Sequence, residues 1–270
     1  MADACPPSDR HAVYDRHVAA IDLNSDLGES FGTWTLGDDV AMLDLVTSAN
    51  IACGFHAGDP STLRKICQAA VDRNVMIGAH VSYLDLAGFG RRFIDIDPGE
   101  LRDAVLYQLG ALDGFAQVAG AGVAYVKPHG ALYHACSSHP EQARAVVEAA
   151  HEYDPSMALL GAPGSPLLDF ADAMGMEPVT EAFADRAYLP DGRLVPRSEP
   201  GAVITDPATV ADRAVAIATE HRVTAIDGSQ VSIRARSICI HGDSPGAVAM
   251  ARAVRAGLEV ASVGLHPFSL

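Results

Sequence analysis

The chain lacks an apolar run long enough to span a bilayer, which excludes a membrane-spanning helix. It is short of positive charge: 19 Lys and Arg against 34 Asp and Glu leave a formal net charge of −15. A surface of that sign is a poor partner for nucleic acid or for an anionic membrane. Met1 to Arg16 are polar, mixed in charge and without the apolar core of a secretory signal, and residues 1–17 read as a flexible tail. Five widely spaced cysteines, an odd number, make no disulfide framework; reduced thiols in a cytoplasmic protein are the expectation. Tandem repeats and low-complexity linkers are also missing, so residues 18–270 read as one domain.

Several common chemistries are absent as well. The sequence contains no G-x-x-x-x-G-K-[ST] phosphate loop, no G-x-S-x-G elbow and no H-E-x-x-H helix. Gly88-Phe89-Gly90 is too short for a dinucleotide fingerprint. Acid–base and electrostatic chemistry by Asp, Glu, His, Lys and Arg is what remains.

What is present is a regular alternation. With 49% hydrophobic residues in 270, the chain can bury a large core. Strands are expected at Val18–Leu23, Ala49–Ala52, Val75–Ala79, Val123–Val126, Ala158–Gly161, Pro178–Ala182 and Ser237–Ile240. Helices are expected at Asp38–Thr47, Ser61–Arg73, Pro98–Ala119, Pro140–Glu152, Ser165–Met174, Pro207–Glu220 and Gly246–Ala256. Strict βα alternation means a parallel sheet with crossover helices: a distorted (β/α) barrel of about seven strands, with an open doubly wound sheet as the alternative. Two stretches break the rhythm. Asp185 to Gly201, rich in Pro, Gly and Arg, reads as a long functional loop, and Val223 to Ala235 as a hairpin turning at Asp227-Gly228.

The ends of the strands carry the chemistry. Asn24, Asp26 and Glu29 follow the first strand, and Asn50, His56 and Asp59 the second. His80, Tyr83, Asp85 and Arg91-Arg92 follow the third, Lys127-Pro128-His129-Gly130 the fourth. Glu181, Asp185, Arg186 and Tyr188 follow the sixth, and His241-Gly242-Asp243 the last. In a parallel barrel all these ends share one face, so the clusters converge on one bowl. Each residue also has a structural role open to it. Asp26 and Glu29 can cap a turn, Asn50 can tie two strand ends, and His80 can be a satisfied core histidine. Lys127 at the end of an apolar strand needs an anion, either a ligand or the carboxylate of Asp26 or Glu29. Cys53 and Cys239 read as small buried residues rather than nucleophiles. Asp26, His56, His80, His129 and His241 could ligate a metal, but the histidines come from separate loops with no short-range pair, so no protein-bound metal is expected.

Six motifs taken together identify a family resemblance. Ile21–Gly32 (I-D-L-N-S-D-L-G-E-S-F-G), Ser48–Pro60 (S-A-N-I-A-C-G-F-H-A-G-D-P), Gly88–Arg92, Tyr125–Tyr133 (Y-V-K-P-H-G-A-L-Y), Phe183–Tyr188 and Cys239–Asp243 resemble the LamB/YcsF family. The chain departs from the family pattern at Val81 and Leu84, where prolines are usual, and at His134, where asparagine is usual. The resemblance implies a distorted (β/α) barrel related to glycoside hydrolase and deacetylase barrels. It implies ATP-dependent opening of the cyclic amide 5-oxoproline to L-glutamate, with ATP as co-substrate, Mg2+ as its counter-ion, and separate B and C subunits as partners. Self-association is compatible with it. The family's polar positions carry over to Asn24, Asp26, Glu29, Asn50, His56, Asp59, His80, Lys127, His129, Arg186, His241 and Asp243.

The chemistry of that reaction distributes roles among them. Asp26, Glu29, His56, Lys127 and His129 are expected to be catalytic: a carboxylate to activate water, histidines to orient it, and the lysine to meet anionic charge. Asn24, Asn50, Asp59, His80, Arg91, Arg186, His241 and Asp243 are expected to bind substrate. A metal-dependent deacetylase or amidohydrolase acting without ATP is one alternative, and a non-catalytic lactam- or sugar-binding module is another.

Overall fold

A computed structural model describes residues 20–268; the tail assigned to residues 1–17 and the start of the first strand candidate lie outside the described residues. In chain order the elements are β1 (Ala20–Leu27), α1 (Asp39–Leu43), β2 (Ser48–Ala52), α2 (Pro60–Val71), β3 (Met76–Val81), α3 (Pro98–Ala119), β4 (Tyr125–Pro128), α4 (Gly130–Ser138) and α5 (Pro140–Tyr153). There follow β5 (Ala158–Gly161), α6 (Pro166–Ala173), β6 (Glu177–Phe183), α7 (Pro207–Glu220), β7 (Arg222–Thr224), β8 (Gln230–Ser232), β9 (Ser237–Cys239), α8 (Ala247–Val260) and β10 (Gly264–Leu265).

Seven parallel strands close on themselves. β1 to β6 pair in sequence, β6 pairs with β9, and β9 returns to β1. The expected barrel is therefore the observed one, closed rather than open. Its strands alternate as the pleat requires. On β1, Asp22, Asn24 and Asp26 share the face turned into the barrel, while Ile21, Leu23 and Leu27 join the hydrophobic core beneath the helices.

Aspartates start the helices. The side chains of Asp38, Asp59, Asp97 and Asp206 accept from the first-turn amides of α1, α2, α3 and α7, and proline opens the last three. The hairpin forms as expected, β7 and β8 pairing antiparallel around Asp227-Gly228. Residues 185–201 contain no helix or strand; single bridges at Arg186–Val203 and Tyr188–Leu194 fold this loop over the barrel mouth. Three expectations need correction. The first helix ends at Leu43, not Thr47, because the chain must turn to enter β2 at Ser48. α4 and the two-residue strand β10, which pairs with the first residues of β1, were not foreseen. Among the described residues no helix is long and apolar enough to cross a membrane.

Candidate active site

The carboxyl ends of the strands surround a cavity of about 520 Å³. Of the expected site residues, Asp26, Glu29, His80, Arg91, Lys127, His129, Arg186, His241 and Asp243 line it, contributed by elements far apart in sequence. Asn24 and Asn50 lie just beneath, and His56 lies behind His129, all fully buried.

Lys127 is the centre of the floor. Its ammonium lies 2.7 Å from Glu181 Oε1 and 3.0 Å from Asp26 Oδ1, and it also donates to Asn24 Oδ1 at 3.3 Å. Asp26 was an expected partner; Glu181, and not Glu29, supplies the second carboxylate. Asn24 donates to Glu181 Oε1 and Ser237 Oγ, and Asn50 donates to Asn24 Oδ1 and Asp26 Oδ1. Tyr125 closes the chain by donating to Asn50 Oδ1 at 2.6 Å. Gly78 makes room for this: a Cβ there would collide with the Tyr125 ring. One layer deeper, Asp22 accepts from Thr47, Ser48 and Ser237, and burial pushes its carboxyl up to about 6. Burial also opposes the charges of Asp26 and Lys127, but each is outweighed. The His80 ring and the Lys127 ammonium hold Asp26 well below the usual carboxylate range, and Asp26 and Glu181 hold the lysine well above its own.

Histidines form one wall. His56 and His129 stack with ring centroids 3.8 Å apart, and His80 meets both edge-on. Glu29 Oε1 lies 3.3 Å from His56 Nε2 and 3.5 Å from His129 Nδ1. Burial drives His56 and His129 well below the ordinary histidine range, so both rings are neutral at pH 7. Gly90, at φ +62°, lets the loop pass close to this stack; a Cβ there would meet Ser82, His129 and His56 within 2.9 Å. Across the cavity, the His241 ring stacks on Phe183 and its Nδ1 lies 2.8 Å from Asp185 Oδ2. His241 Nε2 faces Asp26 Oδ2 at 3.9 Å.

The rim is cationic. Arg91 donates to Asp243 at 2.6 Å, tying the loop after β3 to the loop after β9. Arg186 is 3% exposed and braces its loop through the carbonyls of Val195 and Ala202. Burial, with Arg197 nearby, lowers its pKa to about 10, so it stays charged.

Asp59 is not brought into the bowl. Its carboxylate is occupied by the amides of Gly32, Ser61 and Thr62 and by the Thr62 hydroxyl, which makes it the cap of α2 rather than a cavity residue. Among residues left out of the expected site, Glu181 and Asp185 matter most, since they partner Lys127 and His241. Both stood at the end of the sixth strand in the sequence. Tyr125 and Asp22 were signalled only by the inward parity of their strands. Cys53 and Cys239 are buried, as expected; burial pushes both thiols up, which keeps them un-ionised.

A closed parallel barrel with acids, imidazoles and cations gathered at the carboxyl ends of its strands defines a barrel enzyme. The particular family follows from comparison: the LamB/YcsF family model matches residues 21–270, and the chain belongs to that family. It is 58% identical over 248 residues to the A subunit of 5-oxoprolinase from Nocardia farcinica, covering 92% of this chain and 99% of that one. To the A subunit of 5-oxoprolinase from Mycobacterium avium it is 56% identical, covering 93% of this chain and all of the other. The crystal structure of a lactam utilization protein from Thermus thermophilus superposes with a TM-score of 0.88 at 44% identity, over 92% of this chain and 100% of that one.

Proposed function

We propose that this chain carries the lactam site of a cytoplasmic 5-oxoprolinase, which opens 5-oxoproline to L-glutamate with hydrolysis of ATP and works in complex with B and C subunits. The observation that carries this reading is the near-full-length match, at 58% identity, to a chain named as the A subunit of 5-oxoprolinase. The cavity supports it, because its lining holds the groups that lactam opening requires.

A five-membered lactam is a resonance-stabilised amide and a poor electrophile. Transfer of the γ-phosphoryl group of ATP to the lactam oxygen makes its carbon reactive. Water adds, the ring C–N bond breaks as the nitrogen takes a proton, and a second water releases phosphate from the resulting acyl phosphate. Lys127 on the floor, with Arg91 and Arg186 above, would meet the charges of carboxylate and phosphoryl groups. Asp26 would activate water, since its Oδ2 is turned away from the lysine toward the histidines. His129, backed by His56, would orient that water beside Glu29. The cavity is larger than one lactam fills, which leaves space for a phosphoryl group. The chain has no phosphate loop of its own, so the B and C subunits are assigned a share of the nucleotide site.

The test is glutamate release from 5-oxoproline, with and without ATP and with and without the B and C subunits. Turnover is expected only when all are present. Release without ATP would replace this reading with an ATP-independent amidohydrolase. Binding without turnover in the full mixture would leave a lactam-binding module. ATP-coupled release by the isolated chain would contradict the dependence on partners.

A further inference from the structure

The histidine wall turns two ring nitrogens toward each other. His129 Nε2 lies 2.9 Å from the Phe89 carbonyl oxygen, and His80 Nδ1 lies 3.1 Å from the Lys127 carbonyl oxygen. A carbonyl oxygen only accepts, so each of those nitrogens carries its ring's proton. The remaining nitrogens, His129 Nδ1 and His80 Nε2, face each other at 3.0 Å, with Asp26 Oδ2 3.3 Å from the latter. Two ring nitrogens at that distance need a proton or a metal cation between them.

Glu29 converges on the same point. Its Oε1 is 3.5 Å from His129 Nδ1, and the ligand atoms of Glu29, His80 and His129 all lie within 4.8 Å of one another. A tetrahedral ion with bonds of about 2.0–2.1 Å sets its ligands about 3.3 Å apart. The separations of 3.0 and 3.5 Å bracket that edge. A shared proton would join the two nitrogens and leave Glu29 with the His56 ring as its partner, whereas a cation engages both imidazoles and the carboxylate. The His80 and His129 rings stand at 89° to each other, which lets both lone pairs aim at one centre. Their bonds to backbone carbonyls are the outer contacts that fix the tautomer of a metal-ligating imidazole.

We propose that Glu29, His80 and His129 hold one divalent cation of the zinc class, with its open position turned into the cavity that all three line. Two imidazoles and one carboxylate suit Zn2+ or Co2+, whereas Mg2+ favours oxygen donors alone. His56 belongs to the same cluster, its ligand atom within 4.8 Å of the other three. Its ring lies parallel to His129 at 9° and its Nε2 is 3.3 Å from Glu29 Oε1, so it is assigned to positioning Glu29 rather than to the ion. Asp26 Oδ2, 3.3 Å from His80 Nε2, adds negative charge beside the ion. The site stands on this geometry and not on the identity of the substrate.

The test begins with chelator-stripped full-length protein. Co2+ is titrated as a visible-absorption probe, with Zn2+ as competitor. One equivalent of Co2+ with a d–d spectrum, displaced by Zn2+ and unaffected by equal Mg2+, is the expected result. His80→Ala and His129→Ala should each weaken binding by more than the roughly 10–100-fold that loss of an outer partner costs, and His56→Gln by about that amount. If the alanine variants fail to fold, the melting temperature of the unaltered protein decides. It should rise with Zn2+ and fall back with chelator. No Co2+ spectrum together with no thermal shift would overturn the site. So would binding that is undiminished in the folded alanine variants, which would show surface histidines to be the ligands.

Discussion

Two buried clusters meet at Asp26, and they are built on opposite principles. On the floor, Lys127 stands between Asp26 and Glu181, and Asn24, Asn50 and Tyr125 pass hydrogen bonds from donor to acceptor. Apart from Glu181 Oε2, no fully buried side-chain polar atom of that group lacks a partner, and Asp26 Oδ2 faces the His80 and His241 rings. On the wall, His80 Nε2 and His129 Nδ1 face each other at 3.0 Å, and His56 Nδ1 is buried with no partner among the described residues. Burial is equal on both sides, so it does not explain the contrast. A polar network that closes on itself gives a rigid support; one left open at a cavity is arranged for something that arrives.

The contrast makes its largest prediction at Lys127. In Lys127→Met, Asp26 and Glu181 lose their shared cation while still buried, so chemical denaturation should show a loss of about 3–5 kcal/mol. Turnover of the assembled enzyme should fall by about 10²–10³-fold, as when one donor to a developing anion is removed. A folded variant with both quantities unchanged would reduce the floor to packing. The wall should behave differently. His129→Asn is expected to lower turnover on the order of 10²-fold while changing unfolding free energy by no more than about 1 kcal/mol. Equal stability losses in the two variants would erase the distinction between the clusters.

Tyr125→Phe tests the edge of the floor. Removing the hydroxyl that donates to Asn50 should cost about 1–2 kcal/mol in unfolding free energy, with a smaller effect on turnover than either change above. The smallest effect is expected far from the bowl. Asp59→Ala should cost about 1 kcal/mol as a lost helix cap and leave turnover per folded molecule unchanged. The backbone amide of Gly32 and the side chain of Thr62 lower the Asp59 pKa from 3.8 to about 2. Its stabilisation is thus fully present above pH 3.8 and lost as pH falls through about 2. The penalty of the substitution should shrink over that interval in acid denaturation.

The same contrast explains which parts of the molecule were legible in the sequence. Strand direction was, because apolar runs ending in polar clusters report the carboxyl ends of parallel strands whatever the loops do. The barrel and the shared bowl of Asp26, Glu29, His80, Lys127, His129 and His241 follow from that alone. Partnership was not legible. Lys127 announces its need for an anion, but whether Glu29 or Glu181 answers depends on the register between strands far apart in sequence. Asp59 misled for the same reason: a carboxylate after a glycine-rich turn serves a ligand or a helix start equally well, and only Pro60 beside it pointed to the cap. The histidines are scattered along the chain with no short spacing between them; barrel closure, which no local spacing records, stacks two of them and sets the third across their edges.

The most direct measurement is a crystal structure of this chain with 5-oxoproline bound. The lactam is predicted to lie in the cavity between Lys127 and His129, its carboxylate toward Arg186 or Arg91. Ligand bound outside that bowl, or a bowl still empty at saturating 5-oxoproline, would contradict the account.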